Sequence, residues 1–192
     1  MTLRRLVAAL TLALTGLTVF ILNTRDRAEP RQRQLTSASA AAPSTADVHY
    51  AHMMITHHEQ AVRMSRALAV KAGVPERIRL IADFIAHDQQ REINETNAWL
   101  SAWKEQHRLP GTPGSAHGML TETQLDDLDR AGTREAATLF LRLMIEHHQG
   151  AITMSRSLLD GAGRNAYIHS LAKHVINEQS AEIDAMRKLL RP

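Results

Sequence analysis

The chain has 192 residues, no cysteine, 4% aromatic side chains and a formal net charge of +3. This length suggests one compact domain with appendages, and the missing cysteines exclude disulfides and thiolate metal sites. The positive charge sits at the front: residues 1–46 hold six arginines against Asp26 and Glu29, whereas 47–192 carry 17 Lys/Arg and 18 Asp/Glu, so a nucleic-acid partner is not implied.

Arg4-Arg5 precedes an uncharged run from Leu6 to Leu22. Residues 1–24 are therefore expected to be an export signal or a membrane anchor. An uncleaved anchor is favoured, because Ala38-Ser39-Ala40, which has the A-x-A form, lies far beyond the apolar run. Residues 25–46, rich in Arg, Gln, Ser, Ala and Thr with Pro30 and Pro43, read as a flexible tether. From 47 to 192 the composition favours helix. A first long helix is expected from Ser44 or Thr45 to Gly73. A second opens with Pro75 at its first position and runs to about His107. Residues 108–120 form a central loop, and Thr121-x-x-Gln124 is a capping box for a short helix. A third long helix starts at Gly132-Thr133 and ends at Gly161 or Gly163, and a fourth runs from about Asn165 to Leu190.

One pattern occurs twice. Met54-Ile55-Thr56-His57-His58 continues to Ala61, Met64 and Ser65-Arg66; ninety residues later Met144-Ile145-Glu146-His147-His148 continues to Ala151, Met154 and Ser155-Arg156. Without gaps, 47–100 and 137–190 share 17 of 54 positions, which identifies a duplicated helical hairpin. Neither hairpin can bury its apolar stripe alone, so the expected fold is all-α: an antiparallel four-helix bundle made of the two hairpins.

On a helix, Met54, His57, His58, Ala61 and Ser65 share one face, and Met144, His147, His148, Ala151 and Ser155 share its counterpart, with Met64 and Met154 close by. Imidazole suits late first-row metals, and thioether sulfur points towards Cu(I). Glu92 and Glu182 lie on or beside the apolar stripes of the second and fourth helices. A core carboxylate there needs a partner, a proton or a cation. Plainer roles compete: methionine as core filler, and Glu92 and Glu182 bridging to arginines or histidines. His87, His169 and His174 are expected at the surface or in packing, with His107 and His117 solvated.

The M-I-x-H-H-x-x-A-x-x-M pattern, present twice and each time followed by Q-x-x-E-I, resembles the exported ferritin-like family known as domain of unknown function 305 (DUF305). Some of its members are similar to periplasmic copper-binding proteins of the CopM type. The resemblance covers about 47–190. It implies a ferritin-like bundle outside the cytoplasm, with copper binding and tolerance. It assigns metal roles to His57, His58, His147, His148, Met54, Met64, Met144 and Met154. The family's acidic residue before the first aromatic matches Asp47, where the second half has Ala137. The expected function is thus an exported copper-binding or copper-storage protein without enzymatic turnover. Its expected partners are a metal ion, the membrane through the N-terminal segment and a second copy of the chain. A ferritin-like iron or manganese redox enzyme and a metal-free structural bundle are the alternatives.

Overall fold

The computed structural model describes residues 42–104 and 116–191. The expected anchor at 1–24, most of the tether, and His107 lie outside the described residues. Among those described there are five α-helices and one 3-10 turn, with no strand, and no helix is long and apolar enough to cross a membrane. The helices are α1 (Thr45–Ala69), α2 (Glu76–Ala102), α3 (Glu122–Arg130), α4 (Thr133–Asp160) and α5 (Ala166–Leu189), with the 3-10 turn at Ala116–Gly118 between α2 and α3.

The helix ends follow local chemistry. Ser44 caps α1 reciprocally: its hydroxyl accepts from the Asp47 amide, and the Asp47 carboxylate accepts from the Ser44 amide. Thr121 and Gln124 form the expected capping box on α3. Asn165 caps α5 by accepting from the amides of Tyr167 and Ile168. Each such cap satisfies amides that would otherwise lack partners, at about 1 kcal/mol per cap. Three ends differ from expectation. Helix α1 stops at Ala69, four residues before Gly73. Pro75 stands just before α2 rather than inside it. Helix α2 closes at Ala102, because Lys104 takes a left-handed conformation (φ 61°) and its amide returns to the Ser101 carbonyl.

Helices α1 and α2 pack as one hairpin and α4 and α5 as the other; α1 also packs on α4, and α2 on α5. Two apolar clusters fill the interior. One includes Met64, Leu68, Ile85, Phe140 and Met144; the other includes Val48, Tyr50, Met54, Met154, Ile168 and Val175. Met54 therefore shares a cluster with Met154, and Met64 with Met144. Along α1 and α4 the paired histidines fall between these methionines, hence between the clusters. Burying a Val, Leu, Phe or Met side chain contributes about 1.5–3 kcal/mol, whereas a buried polar group without a partner costs stability. The apolar clusters hold the fold; the histidines between them need another reason to be there.

Candidate metal centre

The faces of α1 and α4 that pack together carry His57, His58, His147 and His148, each at most 1% exposed. The His57 and His147 rings meet across the helix pair, centroids 3.6 Å apart and tilted by 35°. The outer two histidines turn instead to their own hairpins: His58 Nε2 lies 2.6 Å from Glu92 Oε2, and His148 Nε2 lies 2.7 Å from Glu182 Oε2. His57 Nε2 lies 3.1 Å from the carbonyl oxygen of His117. Carbonyl and carboxylate oxygens accept, so in each of these three rings Nε2 carries a hydrogen, and in the neutral form of such a ring Nδ1 is the nitrogen with the lone pair. Those three Nδ1 atoms are buried with no hydrogen-bond partner, as are both ring nitrogens of His147. One turn before each carboxylate, the side-chain amides of Gln89 and Gln179 are also buried and unpaired.

Burial, then the nearby His58, pushes the His57 imidazole down to about 3, and burial, then His57, holds His147 well below the ordinary imidazole range. Both are neutral at pH 7, the form that binds metals. The sign of the pH dependence follows. Unfolded imidazoles take up protons near pH 6.5, while the folded pair does not until far lower. Their share of the stability is complete above pH 6.5 and is lost as pH falls towards about 3. Every tenfold difference in proton affinity between the folded and unfolded chain corresponds to about 1.4 kcal/mol. The melting temperature of chelator-treated protein is therefore expected to fall steadily from pH 7 to pH 4. A flat profile would show that these rings are already charged at pH 7.

The His117 carbonyl reaches the site through a close backbone crossing. His117 and Gly118 are both left-handed (φ 59° and 78°), which turns the chain sharply onto α4. A Cβ at Gly150 would lie 1.6 Å from the His117 carbonyl oxygen, so only glycine admits the crossing. On α1, Gln60 accepts from the Leu120 amide at 2.7 Å and donates to the Leu120 carbonyl at 3.0 Å. Gln60 and Gly150 are equivalent in the repeat, and both serve the stretch from His117 to Leu120 that leads into α3. The His117 side chain is exposed, as expected, but its backbone belongs to the site.

Met54, Met64, Met144 and Met154 are all buried, at 1%, 0%, 0% and 7% exposure. Asp47 is not brought to the histidines. Its carboxylate accepts from the Ser44 amide and hydroxyl and from the Arg164 and Asn165 amides, ten residues or about 15 Å along α1 from His57. Nor do the four paired histidines converge as one cluster. Among the described residues, the one group of three His, Asp or Glu ligand atoms within 4.8 Å of one another is Asp88, Glu92 and His174. His174, expected only at the surface or in packing, reaches Glu92 from α5. Its signal in the sequence is weak, since Phe84 holds the equivalent place in the first repeat.

A family described as Domain of unknown function (DUF305) matches residues 47–190. Among solved structures, a DUF305 fragment from Deinococcus radiodurans is 28% identical with a TM-score of 0.68, covering 77% of this chain and 97% of its own. A candidate secreted DUF305 protein from Streptomyces coelicolor is 28% identical with a TM-score of 0.69, covering 76% and 91%. CopM in its Cu(I)-bound form is 31% identical with a TM-score of 0.62, covering 74% and 94%, and CopM is also solved with Cu(II) and with silver. Comparison with curated proteins gives no match.

Proposed function

The chain belongs to the DUF305 family, and on that premise we propose that it is an exported protein that binds copper through buried imidazoles and thioethers, without turnover. The observation that carries this is the set of five buried imidazole nitrogens without partners, three of them in rings whose tautomer an acceptor at Nε2 selects. Carboxylate–imidazole pairs of this kind orient metal ligands and raise their basicity. In this reading His57, His58, His147 and His148 bind with Met54, Met64, Met144 and Met154, while Glu92 and Glu182 orient the outer histidines. Neutral imidazole and thioether donors suit Cu(I), and they hold it without a readily oxidised thiolate. The copper- and silver-bound forms of CopM support the same class of ion.

The four long helices are read as an antiparallel four-helix bundle, with residues 1–24 as an export signal or anchor and the following segment as a tether. Export draws support from the Streptomyces coelicolor neighbour and from the apolar run Leu6–Leu22. The iron or manganese enzyme has less support, because Glu92 and Glu182 each engage a histidine of their own hairpin. A purely structural bundle leaves the unpaired nitrogens without a purpose.

The test uses the full chain titrated with Cu(I) under reducing conditions, with metal content counted. A double variant, His57→Leu with His147→Leu, is expected to lose bound copper. Its melting temperature in chelator should stay close to that of the parent, since the lost bond to the His117 carbonyl is offset by replacing poorly satisfied buried imidazoles with apolar side chains of similar size. Unchanged copper stoichiometry in a folded double variant sinks the proposal.

A further inference from the structure

Outside the central imidazoles, one face of the bundle gathers a different donor set. Asp88 and Glu92 stand one turn apart on α2, and His174 reaches them from α5, with their ligand atoms mutually within 4.8 Å. Glu92 is 5% exposed and uses Oε2 on His58. Its other oxygen, Oε1, is buried, points at His174 and makes no hydrogen bond. His174 Nε2 stands 3.2 Å from it, close but without the alignment of a hydrogen bond. Two ligands at about 2.0–2.1 Å from a tetrahedral ion are themselves about 3.3 Å apart, so the pair already has the separation of two ligands on one ion. Arg91 pairs with Asp88 through Oδ1, which leaves the other Asp88 oxygen; the arginine is half exposed and can swing away.

We propose that Asp88, Glu92 and His174 form a second metal site, for a borderline divalent transition ion such as Zn²⁺, distinct from the buried imidazole–thioether region. Two carboxylates and one imidazole are hard-to-borderline donors and carry two negative charges, which favours a divalent ion over Cu(I). Glu92 joins the two regions, one oxygen towards His58 and the other towards this site. The duplication supplies an internal control. The repeat counterparts of Asp88, Glu92 and His174 are Glu178, Glu182 and Phe84. The second carboxylate pair therefore lacks its histidine, and Phe84 is 51% exposed in its place. The site is present on one side of a pseudosymmetric molecule and missing from the other by a single substitution.

The experiment titrates Zn²⁺ into the untagged full chain by calorimetry, with Co²⁺ absorption as a spectroscopic probe and Ag⁺ titration to follow the imidazole–thioether region. His174→Phe, which copies the other side, is expected to lose one Zn²⁺ equivalent and its Co²⁺ spectrum while keeping its Ag⁺ stoichiometry. Phe84→His is expected to gain one Zn²⁺ equivalent. No loss in the first variant overturns the assignment, because His174 is then not a ligand. No gain in the second overturns it as well, because the triad spacing is then not sufficient. The inference does not depend on the copper reading: failure of that reading appears as absent Ag⁺ binding, and failure of this one appears only with Zn²⁺ and Co²⁺.

Discussion

Glu182→Ala should weaken Cu(I) binding by about 10–100-fold while Glu182→Gln leaves it nearly intact. The Glu182 carboxylate is 5% exposed, and the His148 Nε2–H points at it from 2.7 Å. Removing this acceptor leaves a buried N–H unpaired, at a cost of about 1–3 kcal/mol. It also frees the imidazole to change tautomer, so that the lone pair no longer stays on Nδ1. Loss of such an orienting partner typically costs 10–100-fold in metal affinity. Glutamine keeps a carbonyl oxygen in nearly the same place and so preserves the tautomer, if not the charge. Glu182 is the better choice than Glu92, because Glu92 also contacts His174. Competition with a chromophoric Cu(I) chelator reads the affinity. Equal affinity in the alanine and glutamine variants would mean that His148 is not a ligand, and that the Glu182 pair serves folding alone.

Much of this arrangement could be read from residues. The capping signals at Ser44, Thr121 and Asn165 set helix starts because the unpaired amides there must find local partners, whereas Gly73 did not mark the end of α1, which stops at Ala69. The doubled His-His pattern shared a face with small and apolar side chains, and all four rings are buried. What escaped were interactions whose chemistry is not written in a side chain. The acceptor for His57 is a backbone carbonyl, that of His117, and every residue has one. Its trace was indirect: Gly150 standing where the first repeat has Gln60, a mismatch explained by the close crossing of His117 and Gly118 over α4. The Asp88–Glu92–His174 group was missed for a related reason. Glu92 was visible on its apolar stripe, but the histidine comes from a helix more than eighty residues away, at a position where the repeat comparison gives phenylalanine. The early end of α2 depends on the left-handed turn at Lys104, for which lysine carries no local preference.

Asp47→Ala should lower stability by about 2–4 kcal/mol, or roughly 5–15 °C in melting temperature, and leave copper stoichiometry unchanged. Asp47 is fully buried. Burial alone would raise its carboxyl, but hydrogen bonds from Ser44, Arg164 and Asn165 outweigh it and hold the carboxyl below its ordinary value. The charged form is therefore the one the fold uses, and its stabilisation is present near neutrality and lost in acid. Through these bonds Asp47 ties the start of α1 to the turn between α4 and α5. That turn must present its amides closely: a Cβ on Gly163 would lie 2.7 Å from Leu158 Cδ1 and 3.1 Å from Asp47 Oδ1. The other hairpin turn is tied differently. Thr133 donates to the Ala72 carbonyl at 2.8 Å. The repeat counterpart of Asp47 can therefore be Ala137, because the clamp on that side comes from the threonine. Asparagine at 47 should recover part of the loss: an oxygen in the place of Oδ2 can still accept from Ser44, Arg164 and Asn165, while the charge is lost and the NH₂ would face the Arg164 amide. The decisive comparison sets melting in chelator beside copper content for the same variant. A lower melting temperature with full copper binding fits a structural clamp, whereas lost copper with unchanged melting would return Asp47 to the metal ligands.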